Sequence, residues 1–343
     1  MDIILPIANV DVNVIHLFIL GVVVGVLSGM LGIGGGIILN PVLIHMNVPS
    51  VVVVGSSISQ IAGASLSGFL TYLKSKVVDV KIGLYIVGFS FFGGLLGIFL
   101  INHLKSTGDV KRFILGVYAV YLFLLGMFMF VESLKNKNKN THEIPNFIKR
   151  LPFKTTFKTG EISILLPAFI GFLSGFLASI MGIGGGNLIT PALMYLAGYE
   201  AVSAVAISIF QMVFVASFLA FFHSYINHGV DIVLVLILIL GSSFGAVFGA
   251  IIGQKINRFY IKFILSLLML TVAFYSFQQL IGTKEKEVFH ISPTNYLAKL
   301  LLENPLIYSI FAVLSSLILG FIVSVITLRL KTFLVESILR KSK

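Results

Sequence analysis

Two glycine clusters interrupt long apolar stretches of this sequence: GIGGG occurs at residues 32–36 and again at residues 182–186. Glycine costs a helix about 1 kcal/mol relative to alanine, so three consecutive glycines, placed twice, predict a break in each helix. A short helix that starts after such a break has unpaired backbone N–H groups and a positive dipole end at its first turn. Such a terminus binds anions. The first candidate binding residues are therefore Gly34, Gly35, Gly36, Gly184, Gly185 and Gly186.

Polar side chains follow both clusters at matching distances. Asn40 and Thr190 come one turn after the glycines, and each precedes a proline. In the next apolar span of each copy, a serine and a glutamine lie one turn apart on the same face. Their amide and hydroxyl groups could coordinate an anion, or they could hydrogen-bond between helices as structural contacts. Together with an asparagine that directly follows the second cluster, these residues complete the candidate set: Asn40, Pro41, Ser57, Gln60, Asn187, Thr190, Pro191, Ser208 and Gln211.

The composition is that of a membrane protein. Of 343 residues, 57% are hydrophobic and only 11% are charged, against about 25% charged in a soluble domain. Apolar stretches of about 17–25 residues can cross a bilayer as helices, and continuous rather than alternating runs argue against a β-barrel. Two shorter apolar segments, 37–46 and 187–197, follow the glycine clusters. The predicted spans are residues 14–31, 51–73, 82–102, 113–131, 162–181, 201–226, 232–253, 263–281 and 305–328.

The two halves of the chain align, which predicts an internal repeat. Beyond the glycine clusters, Asp79 matches Asp231, and Phe113-Ile-Leu matches Phe263-Ile-Leu. Such repeats recur in secondary transporters. The predicted fold is an all-α polytopic membrane protein of two inverted-topology repeats, with broken or re-entrant helices at the GIGGG motifs and one extra C-terminal helix. Its parts are a first repeat at 1–131, a basic cytoplasmic linker loop at 132–160, a second repeat at 161–281, and a loop, an added transmembrane helix and a basic tail at 282–343.

The distribution of Lys and Arg predicts the orientation of the repeats. If each short segment is a crossing, or forms a re-entrant pair with the helix before it, the second copy is inverted and 18 of the 24 basic residues lie on the cytoplasmic side. If a cluster and its short segment together cross once, the copies are parallel and only 11 of the basic residues lie on the cytoplasmic side. The positive-inside rule favours inversion. The chain is therefore expected in the cell membrane, with its N-terminus outside and its C-terminus in the cytoplasm.

The same residues disfavour several other functions. The net charge of +11 comes from basic residues in tails and loops, as membrane topology requires, so no nucleic-acid partner is predicted. The glycine clusters fit neither of the common nucleotide-binding loop patterns. The predicted spans contain no paired carboxylates, no metal-ligand spacing and no nucleophile–base arrangement. We therefore predict no enzymatic activity, no metal and no cofactor.

The absence of Asp, Glu, Lys and Arg well inside the predicted spans favours an anionic substrate. Proton-coupled pumps usually carry a buried carboxylate or a histidine relay. A site of backbone N–H groups with Ser, Thr, Asn and Gln side chains suits a small anion instead. The membrane potential favours the outward movement of one negative charge by about 2.3 kcal/mol per 100 mV, so export could run without a coupling ion.

The doubled GIGGG-x-x-x-x-P core, the Ser and Gln of the next span and the two-unit layout resemble the TauE/SafE family of sulfite exporters and related sulfonate permeases. The resemblance covers roughly residues 14–281. It implies an integral membrane carrier of small sulfur-containing anions such as sulfite, sulfoacetate or thiosulfate. The long basic linker and the extra hydrophobic helix depart from the family pattern. The core-motif residues that the resemblance carries over are Gly34–Gly36, Pro41, Gln60, Gly184–Gly186, Pro191 and Gln211.

The predicted function is export of a small sulfur-containing or related organic anion through a midplane site between the repeats. The predicted partners are this anion and the lipid bilayer, and homo-oligomerisation is left open. The alternatives are an anion channel and a non-transporting membrane scaffold. A channel would conduct without saturation, whereas a scaffold would keep the glycine breaks buried and dry.

Overall fold

A computed structural model describes residues 2–73, 77–135, 144–282 and 295–341, together with residues 289, 291 and 293. The described chain is almost entirely helical, and eight of its helices are long and apolar enough to cross a membrane. The prediction of an all-α polytopic membrane protein is therefore confirmed.

The elements form two similar series joined by a linker. The first series is β1 (Asp2–Ile4), β2 (Asp11–Asn13), α1 (Val14–Leu31), α2 (Gly36–His45), α3 (Ser50–Leu73), α4 (Val80–Thr107) and α5 (Val110–Lys135). The short helix α6 (Asn146–Lys149) lies in the linker. The second series is β3 (Lys154–Phe157), β4 (Gly160–Ser163), α7 (Leu165–Met181), α8 (Gly186–Leu196), α9 (Ala201–Tyr225), α10 (Ile232–Gly253) and α11 (Arg258–Gly282). Two further helices follow, α12 (Tyr296–Glu303) and α13 (Pro305–Lys341).

Local chemistry sets the helix boundaries. Helices α1 and α10 begin and end at the predicted residues. Asn13 and Asp231 fix where they begin, since each accepts hydrogen bonds from two backbone amides of the helix that follows. Helix α7 begins later than the predicted span at 162–181, because Ile162 and Ser163 are paired in strand β4. Several other spans, α4 and α5 among them, extend beyond their predicted ends.

The two series pack reciprocally. Helix α1 packs mainly against α10, and α7, the counterpart of α1, packs mainly against α4, the counterpart of α10. The matching helices α3 and α9 also pack together, as do α5 and α11. This exchange of partners is the arrangement that a twofold axis between two equivalent units produces.

Glycines bring the exchanged helices into close contact. A Cβ atom added at Gly25 or Gly29 of α1 would collide with the backbone of Ser242 or Ala246 in α10. Gly245 and Gly249 of α10 lie equally close to the backbone of α1. These glycines therefore serve helix packing, as small residues commonly do between transmembrane helices.

A β-hairpin that the sequence pattern does not predict precedes α1. Strands β1 and β2 pair antiparallel, and their connecting loop is buried at Leu5 and Ile7. Asp231, at the start of α10, accepts hydrogen bonds through Oδ2 from the backbone amides of Ile7 (2.7 Å) and Ala8 (3.2 Å). Burial raises the pKa of Asp231, while the amides that donate to it act in the opposite direction. The hairpin of the first series is thus bonded to the second series.

A second hairpin, formed by β3 and β4, precedes α7 and spans the predicted end of the linker at residue 160. Asp79 is the counterpart of Asp231 and the N-cap of α4. Its Oδ2 accepts hydrogen bonds from the backbone amide of Lys158 (2.8 Å) and from the Tyr199 hydroxyl (2.6 Å). Each hairpin is therefore bonded to the capping aspartate of the other series.

The added C-terminal helix α13 packs against α3, α9 and α10. Gly63 of α3 and Gly320 of α13 meet at the crossing point, and Ser67 donates a hydrogen bond to the Gly320 carbonyl (2.8 Å). Helix α13 is longer than the predicted span, since it continues to Lys341. It extends the bundle on one side and leaves the contacts between the two series intact.

Candidate functional site

Each predicted break separates two helices, and the first break illustrates why the sequence needs glycine there. Gly32, Gly34 and Gly35, between α1 and α2, have φ angles of +67°, +80° and +74°. Residues with a side chain rarely adopt this left-handed region. A Cβ atom at Gly35 would also collide with the side chain of Val24 in α1. Substitution of Gly35 by alanine would therefore strain the backbone whether or not the break binds a ligand.

The second break repeats this backbone. Gly182, Gly184 and Gly185 have φ angles of +69°, +71° and +81°. A Cβ atom at Gly185 would collide with Ser174, which is the counterpart of Val24. In both copies the central glycine of the triplet thus lies beside a residue well before the end of the preceding helix, which means that the chain turns back at the break.

Contacts at the helix ends show that α2 returns to the side where α1 begins. His45, at the end of α2, shares a cavity of about 150 Å³ with Lys111, at the start of α5. Lys105, near the end of α4, donates a hydrogen bond to the Asn227 carbonyl (2.9 Å), close to Asp231. Asp231 in turn binds the hairpin that precedes α1. Helices α1 and α2 therefore form a re-entrant pair rather than one continuous crossing.

The two breaks lie directly against each other. A Cβ atom at Gly36 would collide with the carbonyl of Gly182, and one at Gly186 would collide with the carbonyl of Gly32. Residues 32–36 and 182–186 are all buried. The structure therefore brings both glycine clusters into a single site inside the bundle.

Asn40 and Thr190 join the two breaks. The Nδ2 atom of Asn40 donates to the carbonyls of Met181 and Gly182, the latter at 3.1 Å. The Thr190 hydroxyl lies 3.3 Å from the Gly32 carbonyl. The carbonyl groups at the end of each broken helix, which lack intrahelical donors, are thus bound by the short helix of the other series.

Ser208 and Ser57 occupy equivalent positions but have different surroundings. The Ser208 hydroxyl lies 2.9 Å from the Gly32 carbonyl and 3.1 Å from the Thr190 hydroxyl. The Ser57 hydroxyl is fully buried and has no hydrogen-bond partner within the described part of the chain.

The glutamines Gln60 and Gln211 are almost completely buried, at 1% and 0% exposure. The Nε2 atom of Gln211 lies 3.5 Å from the Ser90 hydroxyl, which itself donates to the Gly171 carbonyl at 2.9 Å. In neither glutamine does Oε1 have a partner among the described residues. The contacts between helices therefore leave the Oε1 atom of each glutamine free to accept a hydrogen bond from another partner.

Asn187 and the two prolines complete the predicted set. Asn187 lies in the first turn of α8, is fully buried, and has no partner for Oδ1 or Nδ2 in the part of the chain that the structure describes. Pro41 and Pro191 lie inside α2 and α8, where a proline removes one intrahelical hydrogen bond. The Pro41 carbonyl accepts a hydrogen bond from Gln279 of α11 (3.1 Å).

Backbone amides in both breaks are also unpaired. Across the described ranges, the N–H groups of Gly34, Gly35, Gly184 and Gly185 donate to no backbone or side-chain acceptor. Buried N–H groups without an acceptor are rare in proteins and cost several kcal/mol each inside a membrane. Successive N–H groups in such turns, next to helix N-termini, form a concave site for an anion.

Tyr118 of α5 joins the site, although the sequence pattern does not single it out. Its hydroxyl lies 2.8 Å from the Met181 carbonyl and 3.1 Å from the Gly36 carbonyl, and it accepts a hydrogen bond from Asn40 (3.0 Å). The counterpart of Tyr118 in the second series is Leu268. The other site residues were found because they recur in both halves of the sequence. Tyr118 does not recur, so the alignment of the halves could not reveal it.

Met212 lies between the two clusters and is also absent from the predicted set. Ideal Cβ atoms at Gly34, Gly184 and Gly186 would each lie 2.8–3.0 Å from atoms at the end of the Met212 side chain. Its counterpart in the first series, Ile61, contacts Gly184. The sequence signal was its place directly after Gln211.

The site is polar without being charged. Among the described residues, the buried Asp, Glu, Lys, Arg and His side chains are Asp79, His223 and Asp231, and both aspartates cap helices away from the breaks. Within the same residues, no group of three or more His, Cys, Asp or Glu side chains is arranged to hold a metal ion. The positive potential at the breaks therefore comes from the N-termini of α2 and α8.

Comparisons with known proteins identify a family. A family model described as "Sulfite exporter TauE/SafE" matches residues 17–276, which include both breaks. No solved structure matches the chain.

Several named proteins are similar to the chain. The "Probable membrane transporter protein YunE" of Bacillus subtilis (strain 168) is 28% identical over 213 residues, covering 59% of this chain and 74% of YunE. The "Probable membrane transporter protein MJ0441" of Methanocaldococcus jannaschii is 29% identical over 205 residues, covering 56% of this chain and 66% of that protein. The "Sulfite exporter TauE/SafE family protein 3" of Arabidopsis thaliana is 24% identical over 114 residues, covering 33% of this chain and 22% of that protein.

Proposed function

This chain belongs to the sulfite exporter TauE/SafE family of membrane transporters, and from that premise we propose that it exports a small sulfur oxyanion or organic sulfonate, bound between the two glycine breaks. The observation that carries the proposal is a set of buried N–H groups, at Gly34, Gly35, Gly184 and Gly185, that find no acceptor in the described part of the chain. Without a ligand these groups are costly, and an oxyanion offers them the acceptors that the protein does not.

Two helix N-termini support the choice of an anion. Helices α2 and α8 both begin at the paired breaks, and each helix end contributes roughly half a positive charge. Asn187 adds an unpaired donor in the first turn of α8. Backbone dipoles of this kind hold an anion without an oppositely charged side chain, and among the described residues no Lys or Arg side chain is buried at the site.

The re-entrant pairs support the inverted arrangement of the repeats. If α1 and α2 return to one side, then α3, α4 and α5 make three crossings, and the second series starts on the opposite side of the membrane. With the N-terminus outside, 18 of the 24 basic residues then lie in the cytoplasm. The negative interior potential favours outward movement of a monoanion by about 2.3 kcal/mol per 100 mV, which supports export as the direction.

The test is efflux from proteoliposomes that contain the purified protein and radiolabelled sulfite, with the membrane potential set by a potassium gradient and valinomycin. We expect efflux that saturates with sulfite concentration and rises when the protein's cytoplasmic side is negative. Efflux no faster than from protein-free liposomes, for sulfite and for a panel of small sulfonates, would overturn the proposal. Efflux that rises linearly without saturation would identify an anion channel instead.

A further inference from the structure

Resting on the proposed function, the geometry points to a specific form of substrate: a monoanion that carries its own hydrogen-bond donor, such as hydrogen sulfite or a hydroxylated sulfonate, rather than a fully deprotonated dianion. The inference comes from unpaired acceptors at the site. Besides the unpaired backbone donors, the breaks are surrounded by side-chain oxygens that accept no hydrogen bond from the described protein atoms.

Hydrogen-bond partners fix the orientation of the Asn40 amide. Its nitrogen faces the carbonyls of Met181 and Gly182, which can only accept. The oxygen must therefore point away from them. The Oδ1 atom of Asn40 is left buried, and no donor reaches it from the described part of the protein.

The same reasoning fixes Gln211. The Ser90 hydroxyl uses its one hydrogen on the Gly171 carbonyl at 2.9 Å, so toward Gln211 it can only accept. The Gln211 amide must therefore turn its nitrogen toward Ser90, which leaves Oε1 free, buried and without a donor among the described residues.

A chain of contacts places Gln211 next to the second break. The Gly171 carbonyl, which accepts from Ser90, lies one turn from Ser174 on α7. Ser174 in turn donates to the Gly185 carbonyl (3.2 Å). Asn40 binds the Gly182 carbonyl at the other end of the same break. Both side chains that carry a free oxygen are thus linked to the second break, Asn40 directly and Gln211 through Ser90 and α7.

A buried site with both unpaired donors and unpaired acceptors distinguishes a monoanion that carries an O–H group from a dianion that has acceptors only. A dianion such as sulfite or sulfate offers acceptors only, so the oxygens of Asn40 and Gln211 would stay unpaired at a cost of roughly the lost hydrogen bonds. Its second charge would also meet only helix dipoles, because none of the cationic side chains that the structure describes is buried at the breaks. A monoanion that bears an O–H group satisfies both sets of partners.

The experiment compares two sulfonates of equal charge, ethanesulfonate and 2-hydroxyethanesulfonate, as competitors of radiolabelled sulfite binding to the purified protein. We expect the hydroxylated compound to compete about tenfold more strongly. Methanedisulfonate, a dianion without a donor, should compete least. In Gln211→Met, which keeps the side-chain length but removes the acceptor, the difference between the two monoanions should shrink. Gln254→Met is the control: it makes the same change at the residue that follows α10, and the difference between the two monoanions should remain.

Equal competition by the two monoanions in the wild-type protein, or preferred binding of the dianion, would overturn this inference. Sulfite binding would still stand in that case, and with it the proposed function. Failure of the wild-type protein to bind sulfite or either sulfonate would instead overturn the proposed function. If Gln211→Met does not fold, the comparison of the two sulfonates in the wild-type protein still decides.

Discussion

Asn40 and Thr190 occupy equivalent positions in the two repeats, and each hydrogen-bonds to the carbonyl of the glycine that ends the other repeat's broken helix, Gly182 and Gly32. The two contacts make the breaks mutually dependent, since each short helix closes the end of the long helix opposite. The two contacts also differ in the side chains around them. Ser208 supports Thr190 at the Gly32 carbonyl, whereas Ser57 gives Asn40 no such support.

This difference predicts an order of stabilities. Asn40→Leu leaves the buried Gly182 carbonyl without its side-chain donor, while Tyr118 still reaches the Met181 carbonyl, and the change should lower the free energy of unfolding by about 1–3 kcal/mol. Thr190→Val leaves Ser208 in place at Gly32 and should cost less than about 1 kcal/mol. Thermal unfolding of the purified variants in detergent measures both. A larger loss in Thr190→Val than in Asn40→Leu would contradict the proposed roles of these side chains.

Much of this architecture could be predicted, because repetition marks it in the sequence. The glycine clusters, Asn40 and Thr190 recur at a spacing of 150 residues, and the structure places both copies at a single site. Helix ends were predictable where a cap is local, as at Asn13. The sequence also indicated polar residues on α3 and α9 without showing which of their atoms would be left unpaired.

The remainder depends on tertiary contacts that leave no periodic signal. Tyr118 binds both breaks, but its counterpart is Leu268, so comparison of the halves conceals it. The hairpins before α1 and α7 have strands of only three and four residues, and their loops are held by aspartates of the opposite repeat. Such strands are too short to show an alternating pattern.

Asn187 offers a test that separates binding from folding. The first repeat has Ile37 at the equivalent position, so Asn187→Ile copies a side chain that the fold already accepts there. The change removes two buried polar atoms that have no partner among the described residues, so it should keep or raise thermal stability. We expect sulfite affinity to fall by about tenfold because one hydrogen bond to the anion is lost. Unchanged affinity together with lower stability would assign Asn187 to the fold.

Met212 should limit the size of the substrate. Its side chain lies against glycines of both breaks, so Met212→Ala should enlarge the space between them. We expect longer alkanesulfonates to compete better with sulfite in this variant, with a stability loss of about 2–5 kcal/mol. Met269→Ala, at a buried methionine of α11, is the matched control and should show the stability loss alone. If both variants show the same preference for the length of the alkanesulfonate, Met212 does not line the binding site.

Two exposed acidic residues test the inverted arrangement. Asp11 and Glu161 lie at equivalent positions on the second strand of each hairpin, in a chain without cysteine. Asp11→Cys should react with a membrane-impermeant maleimide on intact cells. Glu161→Cys should react only after the membrane is permeabilised. Labelling of both cysteines from the same side would show that the repeats are parallel.

The central claim is that the anion binds between the two breaks, and locating a bound anion tests it most directly. Selenite, the selenium counterpart of sulfite, can be located by anomalous diffraction from crystals of the protein grown with it. The account predicts a selenium peak between residues 32–36 and 182–186, with oxygens within hydrogen-bond distance of the Gly184 and Gly185 amides. A single peak elsewhere, with only ordered water between the breaks, would contradict it.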